Sequence, residues 1–377
     1  MNFEEYAAKP LLAKAGIAVP DSELAWEGET AWRIAERIGK CVVKAQVPTG
    51  KRGKAGGIKL ASTPDEAKAH TESIIGMEID GHLVEKVLIE AQVPFAKELY
   101  VAVLNDTASK NPMVLFSSMG GMNVEEVAEQ DPDAMRKIPV DISRGLNFDA
   151  ALSALKGCAL DGLEKDVAEV LVRLYQAYRD YDAELLEINP LVLTQDNRVV
   201  ALDCKLTVDD SAASRQAEII GQAAPEKMTA LEAKAHDAGL KYIDLGGSVG
   251  VLANGAGLTM TTMDAVTYYG GTPANFLEIG GEAYTKSRIA LTILLENTDI
   301  RSLLVNFCGA FARTDVMTEG LVSAWRELAP SIPIFFTIHG TGEDEAVKIV
   351  RDQLGLEPFD LMDDAVKAAV NAAAEAA

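Results

Sequence analysis

Apolar and polar positions alternate differently in the two halves of the chain. Up to about residue 230, short apolar runs such as CVVKAQV, VLIEAQV, ELYVAVL and PMVLFSS alternate with helical patterns such as VAEVLVRLYQAYRDY. Apolar residues at helical spacing predict an amphipathic helix, whereas the shorter runs predict strands. The first half is therefore predicted to be α+β.

The second half repeats one unit, in which a continuous apolar strand is followed by a glycine loop and an amphipathic helix. The four strands read SVGVLA, ANFLEI, SLLVNFC and IPIFFTI, and their loops read NGAG, GGEA, GAFA and HGTG. This alternation predicts a doubly wound parallel sheet with ligand sites at the carboxyl ends of its strands. Helix N-termini there can hold anions, and the alternative is that the glycines only permit tight turns. Four loops in succession favour a functional edge.

The strand pattern is lost between Asp209 and Ala235, where Ala, Glu and Gln dominate. Such a segment is typical of a connection between domains. We therefore predict two domains, residues 1–225 and residues 226–377.

Charge and composition limit the classes of partner. The chain has 377 residues and a formal net charge of −22. Nucleic acids and anionic membranes are polyanions, so the field of an acidic chain repels them. No run approaches the roughly 18 apolar residues of a membrane span, and the N-terminus MNFEEYAAKP lacks the features of a targeting signal. We expect neither nucleic acid nor membrane as the main partner.

The cysteines indicate a reducing compartment. They lie far apart and form no C-x-x-C pair, at Cys41, Cys158, Cys204 and Cys308. This spacing fits reduced thiols better than a disulfide framework or a zinc site. We expect the protein in the cytoplasm.

One loop concentrates positive charge in this acidic chain. The stretch VPTGKRGKAGGIKL, residues 47–60, has four cations among four glycines: Lys51, Arg52, Lys54 and Lys59. A flexible glycine-rich backbone beside Lys and Arg is one way in which proteins surround polyphosphate. The alternative is a solvated basic turn. With the strands CVVKAQV and GGIKLA on either side, the loop is predicted to form a hairpin-like lid.

The second half lacks the glycine fingerprint of dinucleotide-binding domains. That fingerprint is G-x-G-x-x-G, and here Gly255 and Gly257 are followed by Met260 in place of the third glycine. An oxidoreductase is therefore a poor second interpretation.

An amide and a carboxylate are predicted to converge on two neighbouring strands. The runs LLEINPLVL and VVALDCKL are joined by Asp196-Asn197-Arg198. A turn of these three residues would set Leu191 opposite Asp203, with Asn189 one step along the same face. Mg²⁺ prefers such oxygen ligands, and Glu187 shares this face. The alternative is an exposed polar face of a sheet.

Motifs in matching order along nearly the whole chain resemble a known family. They include GKRGKAGGIKL, AKELY, LLEINPLV, ALDCKL, LANGAGLTMTTMD and GGTPANFLEIGG. The chain resembles the β-subunit of succinyl-CoA synthetase, a ligase of the tricarboxylic acid cycle. The resemblance implies an N-terminal ATP-grasp domain, a C-terminal flavodoxin-like domain, and a CoA-binding α-subunit as partner.

The resemblance also implies roles for individual residues. The phosphate-binding residues would be Lys44, Arg52, Gly53 and Lys54, and the adenine and ribose would border Glu90, Val93 and Glu98. Asn189 and Asp203 would bind Mg²⁺, and Glu187 would contact the phosphorylated histidine of the partner. The second phosphate and carboxylate site would comprise Asn254, Gly309, Ala310, Phe311 and Ala312.

The implied reaction runs in steps, and this chain holds half of the enzyme. ATP phosphorylates a histidine, the phosphoryl group passes to a carboxylate, and CoA displaces it as a thioester. None of the histidines lies in a setting like the family's phosphorylated loop: His70, His82, His236 and His339. The partner would supply that histidine in an αβ or α2β2 heteromer. Pro20 matches members that prefer ATP to GTP.

Two departures from the family's pattern concern the acid. Phe311 places a bulky ring in the loop Gly309–Asp315, and Thr337 replaces an arginine of the family. His339 is either a residue at a strand end or a substrate contact, and Lys51 adds a charge to the lid. Succinate is the default acid, with malate, a sulfonated short acid or another small dianionic acid as alternatives. A scaffold that retained the fold and ATP binding without catalysis is the remaining alternative.

Overall fold

Contacts between residues divide the chain into two units, Met1–Glu226 and Lys227–Ala377. The structure is a computed structural model that describes residues 1–50, 52–120, 134–225, 227–280 and 283–376. Within these ranges, no helix combines the length and apolar character needed to cross a membrane.

The first unit is built from short strands and a few helices. Its strands are β1 (Asn2–Phe3), β2 (Ser22–Ala25), β3 (Cys41–Ala45), β4 (Ile58–Ala61), β5 (Glu78–Ile79), β6 (His82–Leu83), β7 (Val87–Ala91), β8 (Phe95–Asp106), β9 (Asn111–Ser117), β10 (Met135–Pro139), β11 (Ala183–Thr194), β12 (Val199–Ala201) and β13 (Lys205–Val208). Its helices are α1 (Glu5–Lys14), α2 (Gly28–Ile38), α3 (Pro64–Ile74), α4 (Phe148–Ala154), α5 (Glu164–Asp180) and α6 (Ala217–Ile220), with a 3₁₀ turn at Asp210–Ala212.

Two antiparallel sheets make up most of this unit. The smaller sheet has the order β2-β7-β3-β4, and its core includes residues of α2 and α3. The larger has the order β1-β13-β11-β8-β9-β10, with β12 also paired to β11. Buried apolar side chains of α1, α4 and α5 join one face of the larger sheet in a single core. Pairing of β3 with β4, from Cys41 opposite Ala61, confirms the predicted hairpin around the basic loop.

The turn after β11 differs from the predicted one by one residue. Thr194 and Arg198 close it, since the Thr194 amide donates to the Arg198 carbonyl, so the loop is residues 195–197. Asn197 has a φ of +56°, in the left-handed region that Asn tolerates better than most residues. The shift places Ala201 opposite Leu191. The prediction that Asp203 lies opposite Leu191 is therefore wrong.

The second unit alternates strands and helices. Its strands are β14 (Lys241–Asp244), β15 (Val249–Ala253), β16 (Asn275–Glu278), β17 (Ser302–Gly309) and β18 (Ile334–Gly340). Its helices are α7 (Ala230–Asp237), α8 (Ala256–Tyr268), α9 (Ala283–Glu296), α10 (Thr314–Leu328), α11 (Glu343–Leu354) and α12 (Met362–Glu375).

The sheet of this unit is doubly wound, with the order β14-β16-β15-β17-β18. Its β15, β16, β17 and β18 pair in parallel, as the repeated unit predicts. One face packs on α8 and α12, and the other on α9, α10 and α11. The pattern did not reveal β14, an antiparallel edge strand, or α12. Both follow less regular patterns than the repeats, because β14 is only half-buried and α12 is rich in alanine.

The turn at Asn197 gives a test of the register. Asn197→Val places a β-branched residue at positive φ and should destabilise the protein by about 1–2 kcal/mol. Asn197→Gly is the matched control, which glycine's freedom at positive φ should leave within about 0.5 kcal/mol. Asn197 is exposed, so neither change alters the core. Thermal unfolding of both variants measures this, and equal stability would contradict the conformational explanation.

Candidate functional site

An open cavity of about 1310 Å³ lies in the first unit. It is lined by both sheets and by the basic loop between β3 and β4. All residues of this unit that the sequence assigned to a site line the cavity: Lys44, Arg52, Gly53, Lys54, Glu90, Val93, Glu98, Glu187, Asn189 and Asp203. The structure therefore brings together side chains that are up to 159 positions apart, from Lys44 to Asp203.

The basic loop folds back so that Arg52 points into this cavity. The amide of Gly57 donates to the carbonyl of Arg52 at 2.9 Å, and the amide of Ala45 donates to the carbonyl of Gly57 at 2.7 Å. A Cβ on Gly57 would lie 2.7 Å from Cδ1 of Ile79, so only glycine fits without a shift. Arg52 is buried whereas Lys54 is exposed. Lys51 lies outside the described residues.

The amide and carboxylate face each other across the β11 hairpin. Glu187 pairs with Lys205, and Leu191 pairs with Ala201, so the same register sets Asn189 opposite Asp203. The predicted convergence thus arises from a turn one residue away from the predicted turn. Both side chains line the cavity and offer oxygen atoms.

The donor set at this position fits a hard cation that brings other ligands with it. Mg²⁺ is typically held by one or two protein oxygens, with phosphates and water completing its octahedron. Asn189 and Asp203 supply such oxygens. No group of three or more His, Cys, Asp or Glu side chains suited to a metal was found in the described ranges.

Four buried charged side chains, Glu5, Lys9, Lys44 and Glu90, form a ring at the wall of the cavity. Glu5 and Lys9 were not predicted. Lys44 donates to Oε1 of Glu5 at 2.9 Å and to Oε1 of Glu90 at 2.7 Å. Lys9 contacts the same two carboxylates, with 2.7 Å to Oε1 of Glu5. Each ammonium also donates to the carbonyl of Leu202 at 2.6 Å. The ring thereby holds the backbone next to Asp203.

Arg52 links this ring to the proposed metal ligand. Its Nη1 donates to Oε2 of Glu5 at 2.8 Å and to the carbonyl of Ala45 at 2.9 Å. Its Nη2 donates to both carboxylate oxygens of Asp203, each at 2.8 Å. The Arg52 guanidinium therefore binds the buried Glu5 carboxylate through one nitrogen and Asp203, at the edge of the cavity, through the other.

The charges in this network stabilise one another. Burial alone would raise the pKa of Glu5, but Lys44, Lys9 and Arg52 together hold that pKa well below its ordinary value. Burial would likewise lower the pKa of Lys44, but Glu5, Glu90 and Asp203 raise it. The pKa of Arg52 is raised by Asp203 and Glu5 against the effect of burial. Glu5, Lys44 and Arg52 are therefore charged near neutral pH.

Glu90 and Glu98 differ in what their side chains can still bind. The Glu90 carboxylate is 2% exposed and accepts from Lys44 and Lys9 at its two oxygens. Glu98 is half-buried and lies on β8 opposite Val192. The Glu98 carboxylate therefore fits the predicted contact with sugar hydroxyls better than the Glu90 carboxylate does. Glu90 lines the cavity beside Ala91 and Val93.

The second unit places the other predicted residues at the carboxyl edge of its sheet. Asn254 follows β15, and its side-chain amide donates to the Cys308 carbonyl and accepts from the Cys308 amide, each at 2.8 Å. Gly309 ends β17, and a Cβ there would lie 2.2 Å from the carbonyl oxygen of Ala312. The loop Gly309–Ala312 precedes α10, whose N-terminus has no side-chain cap. These positions suit the predicted anion site.

Two residues that depart from the family's pattern occupy different surroundings. The Phe311 ring is fully exposed at the tip of its loop, and Thr337 is completely buried. His339 is half-buried, with Nε2 3.4 Å from Oγ1 of Thr337 and Nδ1 3.4 Å from Glu343. Residues Gly281 and Glu282 of the GGEA loop lie outside the described ranges.

Sequence reasoning missed Glu5 and Lys9 because both looked like ordinary residues of an N-terminal helix. A signal was present, since EYAAKPLL places an acid and a base four residues apart between apolar residues. That spacing puts both on one helix face. Only the structure shows that this face is buried against β7 and Leu202.

The buried ring gives a stability prediction for Lys9. Lys9→Met removes a cation that two buried carboxylates share, and breaking such a network should cost about 3–5 kcal/mol. Lys14→Met is the control at the exposed end of the same helix, with a cost below about 1 kcal/mol. Urea unfolding of both variants measures the difference. A cost for Lys9→Met within that of the control would show that the ring does not stabilise the fold.

Comparison with known proteins assigns the family. The ATP-grasp domain model matches residues 2–193 and the CoA-ligase model matches residues 252–370. The chain is 41% identical to the β-subunit of the GDP-forming succinate–CoA ligase of Thermus thermophilus and to that of the ADP-forming enzyme of Rubrobacter xylanophilus. Each alignment covers 93% of both proteins. The β-subunit of the ADP-forming enzyme of Natronomonas pharaonis is 39% identical over the full length of both.

A solved structure matches the fold over the same extent. ATP citrate lyase from Methanothrix soehngenii, in complex with citrate and coenzyme A, has a TM-score of 0.76 at 24% identity. The match covers 98% of this chain and 99% of that chain. At this identity the likeness concerns the fold alone. Together, the two domain models and the full-length relatives show that the chain belongs to the family of succinate–CoA ligase β-subunits, with an ATP-grasp domain followed by a CoA-ligase domain.

Proposed function

We propose that this chain is the nucleotide-binding β-subunit of an ADP-forming carboxylate–CoA ligase, which works with an α-subunit that binds CoA. The observation that carries the proposal is the cavity of the first unit, where two buried cations lie beside an amide–carboxylate pair. A scaffold that retained ATP binding would share this combination, so formation of the thioester is what separates the two. Family membership supports the acid–thiol ligase chemistry.

In this proposal the chain's residues hold and orient ATP. Lys44 and Arg52 contact the phosphates, together with Lys54 and the backbone of Gly53, while Glu98 accepts from the ribose. Asn189 and Asp203 bind Mg²⁺, which when bound neutralises charge on the phosphates. Positioning and charge stabilisation make up most of the catalysis in phosphoryl transfer.

The transferred phosphoryl group needs an acceptor from the partner. Glu187 lies on β11, two residues before Asn189, and lines the same cavity. In the proposal its carboxylate accepts a hydrogen bond from one nitrogen of the partner's histidine, which fixes the tautomer and leaves the other nitrogen free to attack. In the proposal, the nucleophile comes from the partner and not from this chain.

The acid site is proposed for the carboxyl edge of the second unit. Asn254 and the loop Gly309–Ala312, with Phe311 at its tip, lie at that edge before the uncapped α10. Helix N-termini favour anionic groups. We propose a short dianionic acid, with succinate as the default and malate or a sulfonated acid as alternatives. The assembly is an αβ or α2β2 heteromer, and free thiols at all four cysteines fit a cytoplasmic location.

A coupled assay tests the proposal. The chain co-purified with its α-subunit, given Mg²⁺, ATP and CoA, should form ADP and an acyl-CoA from a dianionic acid in a panel of succinate, malate, a sulfonated short acid and acetate. ATP should be used in preference to GTP. Mg-ATP binding with no thioester from any acid would favour the scaffold. Acetate as the best substrate would contradict the dianionic site.

Glu187 gives a sharper test of the proposed phosphoryl transfer. Glu187→Gln should slow labelling of the partner's histidine from labelled ATP by about 10²- to 10⁴-fold, as for other lost orienting groups. Mg-ATP affinity and subunit association should stay unchanged. Glu184→Gln is the control on the same strand, at an exposed position outside the cavity. A normal labelling rate for Glu187→Gln would show that Glu187 is an ordinary residue of the sheet surface. Label on this chain in the absence of any partner would overturn the need for a partner.

A further inference from the structure

The carboxylate of Glu5 contacts three cations at once. Its Oε1 lies 2.7 Å from Lys9 and 2.9 Å from Lys44, and its Oε2 lies 2.8 Å from Nη1 of Arg52. The Glu5 side chain is 1% exposed. It projects from α1, which is separate from the two strands of the basic hairpin. Neither the motifs nor the comparisons assign this residue a role. It is the one described carboxylate that contacts both Lys44 and Arg52.

The two nitrogens of the Arg52 fork have different surroundings. Nη1 is fixed by two buried acceptors, the Glu5 carboxylate and the Ala45 carbonyl. Nη2 donates to both carboxylate oxygens of Asp203, whose side chain is 31% exposed at the cavity. Nη1 is thus held in the interior, whereas Asp203, the partner of Nη2, is partly exposed at the cavity.

We propose that Glu5 is a positioning residue that anchors Nη1 of Arg52, so that Nη2 exchanges between Asp203 and a nucleotide phosphate. The inference rests on the proposed function and deepens it. In this structure, Nη2 donates to both oxygens of the carboxylate that is proposed to bind the metal. When the metal–nucleotide complex binds, Asp203 turns to the metal, and Nη2 meets the phosphate without Arg52 leaving its anchor.

This exchange makes metal and nucleotide binding interdependent. The metal frees Nη2 for phosphate, and the phosphate frees Asp203 for the metal, so each ligand raises the affinity of the other. The anchor is necessary for this, because a released and untethered Arg52 gains no fixed contact with the phosphate. Lys44 keeps its own contacts with Glu90 and the Leu202 carbonyl. Loss of Glu5 should therefore lower the coupling more than it lowers nucleotide binding as such.

The measurement is the ratio of two dissociation constants. The complex of this chain with its α-subunit is titrated with the β,γ-imido analogue of ATP, first in EDTA and then in excess Mg²⁺. In the wild type, Mg²⁺ should tighten binding at least tenfold. In Glu5→Gln this ratio should fall about tenfold, the effect of one hydrogen bond between charged groups. A purely structural role would weaken both titrations equally and leave the ratio unchanged.

Two further variants separate anchoring from charge. Glu5→Asp keeps the charge but is one methylene too short to contact Lys44 and Arg52 through opposite oxygens, and it should also lower the ratio. Glu4→Gln removes a neighbouring carboxylate that pairs with Lys86 rather than with Arg52, and it should keep the wild-type ratio. If Glu5→Asp matched the wild type, or Glu4→Gln matched Glu5→Gln, the effect would be charge alone and the inference would be wrong.

The outcomes distinguish this inference from the proposed function. If the wild-type complex fails to bind the analogue with Mg²⁺, the proposed function fails. If it binds with strong coupling and both Glu5 variants retain that coupling, only the anchor is refuted. Should neither Glu5 variant fold, Arg52→Lys decides, because one ammonium cannot hold Glu5 and Asp203 through separate nitrogens. Unchanged coupling in Arg52→Lys would overturn the exchange.

Discussion

The cavity of the first unit depends on one buried carboxylate, that of Glu5, which forms salt bridges with both Lys44 and Arg52. Charges removed from water are costly unless they are paired and hydrogen-bonded. Here Glu5 lies between Lys9 and Lys44 on one oxygen and Arg52 on the other, and the Leu202 carbonyl accepts from both lysines. Cations from β3 and its loop are thereby fixed to α1 and to the strand connection that carries Asp203.

The β11 hairpin is the second constraint, because it decides which side chains meet these cations. The turn at residues 195–197 sets Asn189 opposite Asp203 and Glu187 opposite Lys205. A slip by one residue would move one strand's side chains to the other face. The proposed pair of metal ligands and the proposed orienting carboxylate therefore depend on a turn that lies outside the cavity.

Much of this arrangement could be predicted from sequence, and the failures have physical causes. Hydrophobic periodicity and glycine loops predicted β15 to β18 and the helices α8 to α11 that follow them, since each repeat follows one regular pattern. The basic loop was predicted from composition alone, because cations among glycines in an acidic chain are conspicuous. The turn was misplaced by one residue because Asn197 and its neighbours all suit turns, and only the Thr194–Arg198 closure selects among them. Glu5 and Lys9 were missed since an acid and a base at helical spacing are usually solvated, and burial comes from tertiary contacts that no local pattern contains.

Charge balance explains why such a site would take its nucleotide as a metal complex. The network holds three cations, Lys9, Lys44 and Arg52, against three carboxylates, Glu5, Glu90 and Asp203, so it is formally neutral. The chain around it has a formal net charge of −22. A free triphosphate entering this site would meet cations whose charge is already compensated, within a field that repels anions. In the proposed site, a divalent metal would halve the nominal charge of the triphosphate and would also replace Arg52 as the counter-charge of Asp203. The ion that reduces the repulsion would thus also release the Arg52 guanidinium for the phosphate, so that recognition of the metal and recognition of the nucleotide would depend on each other.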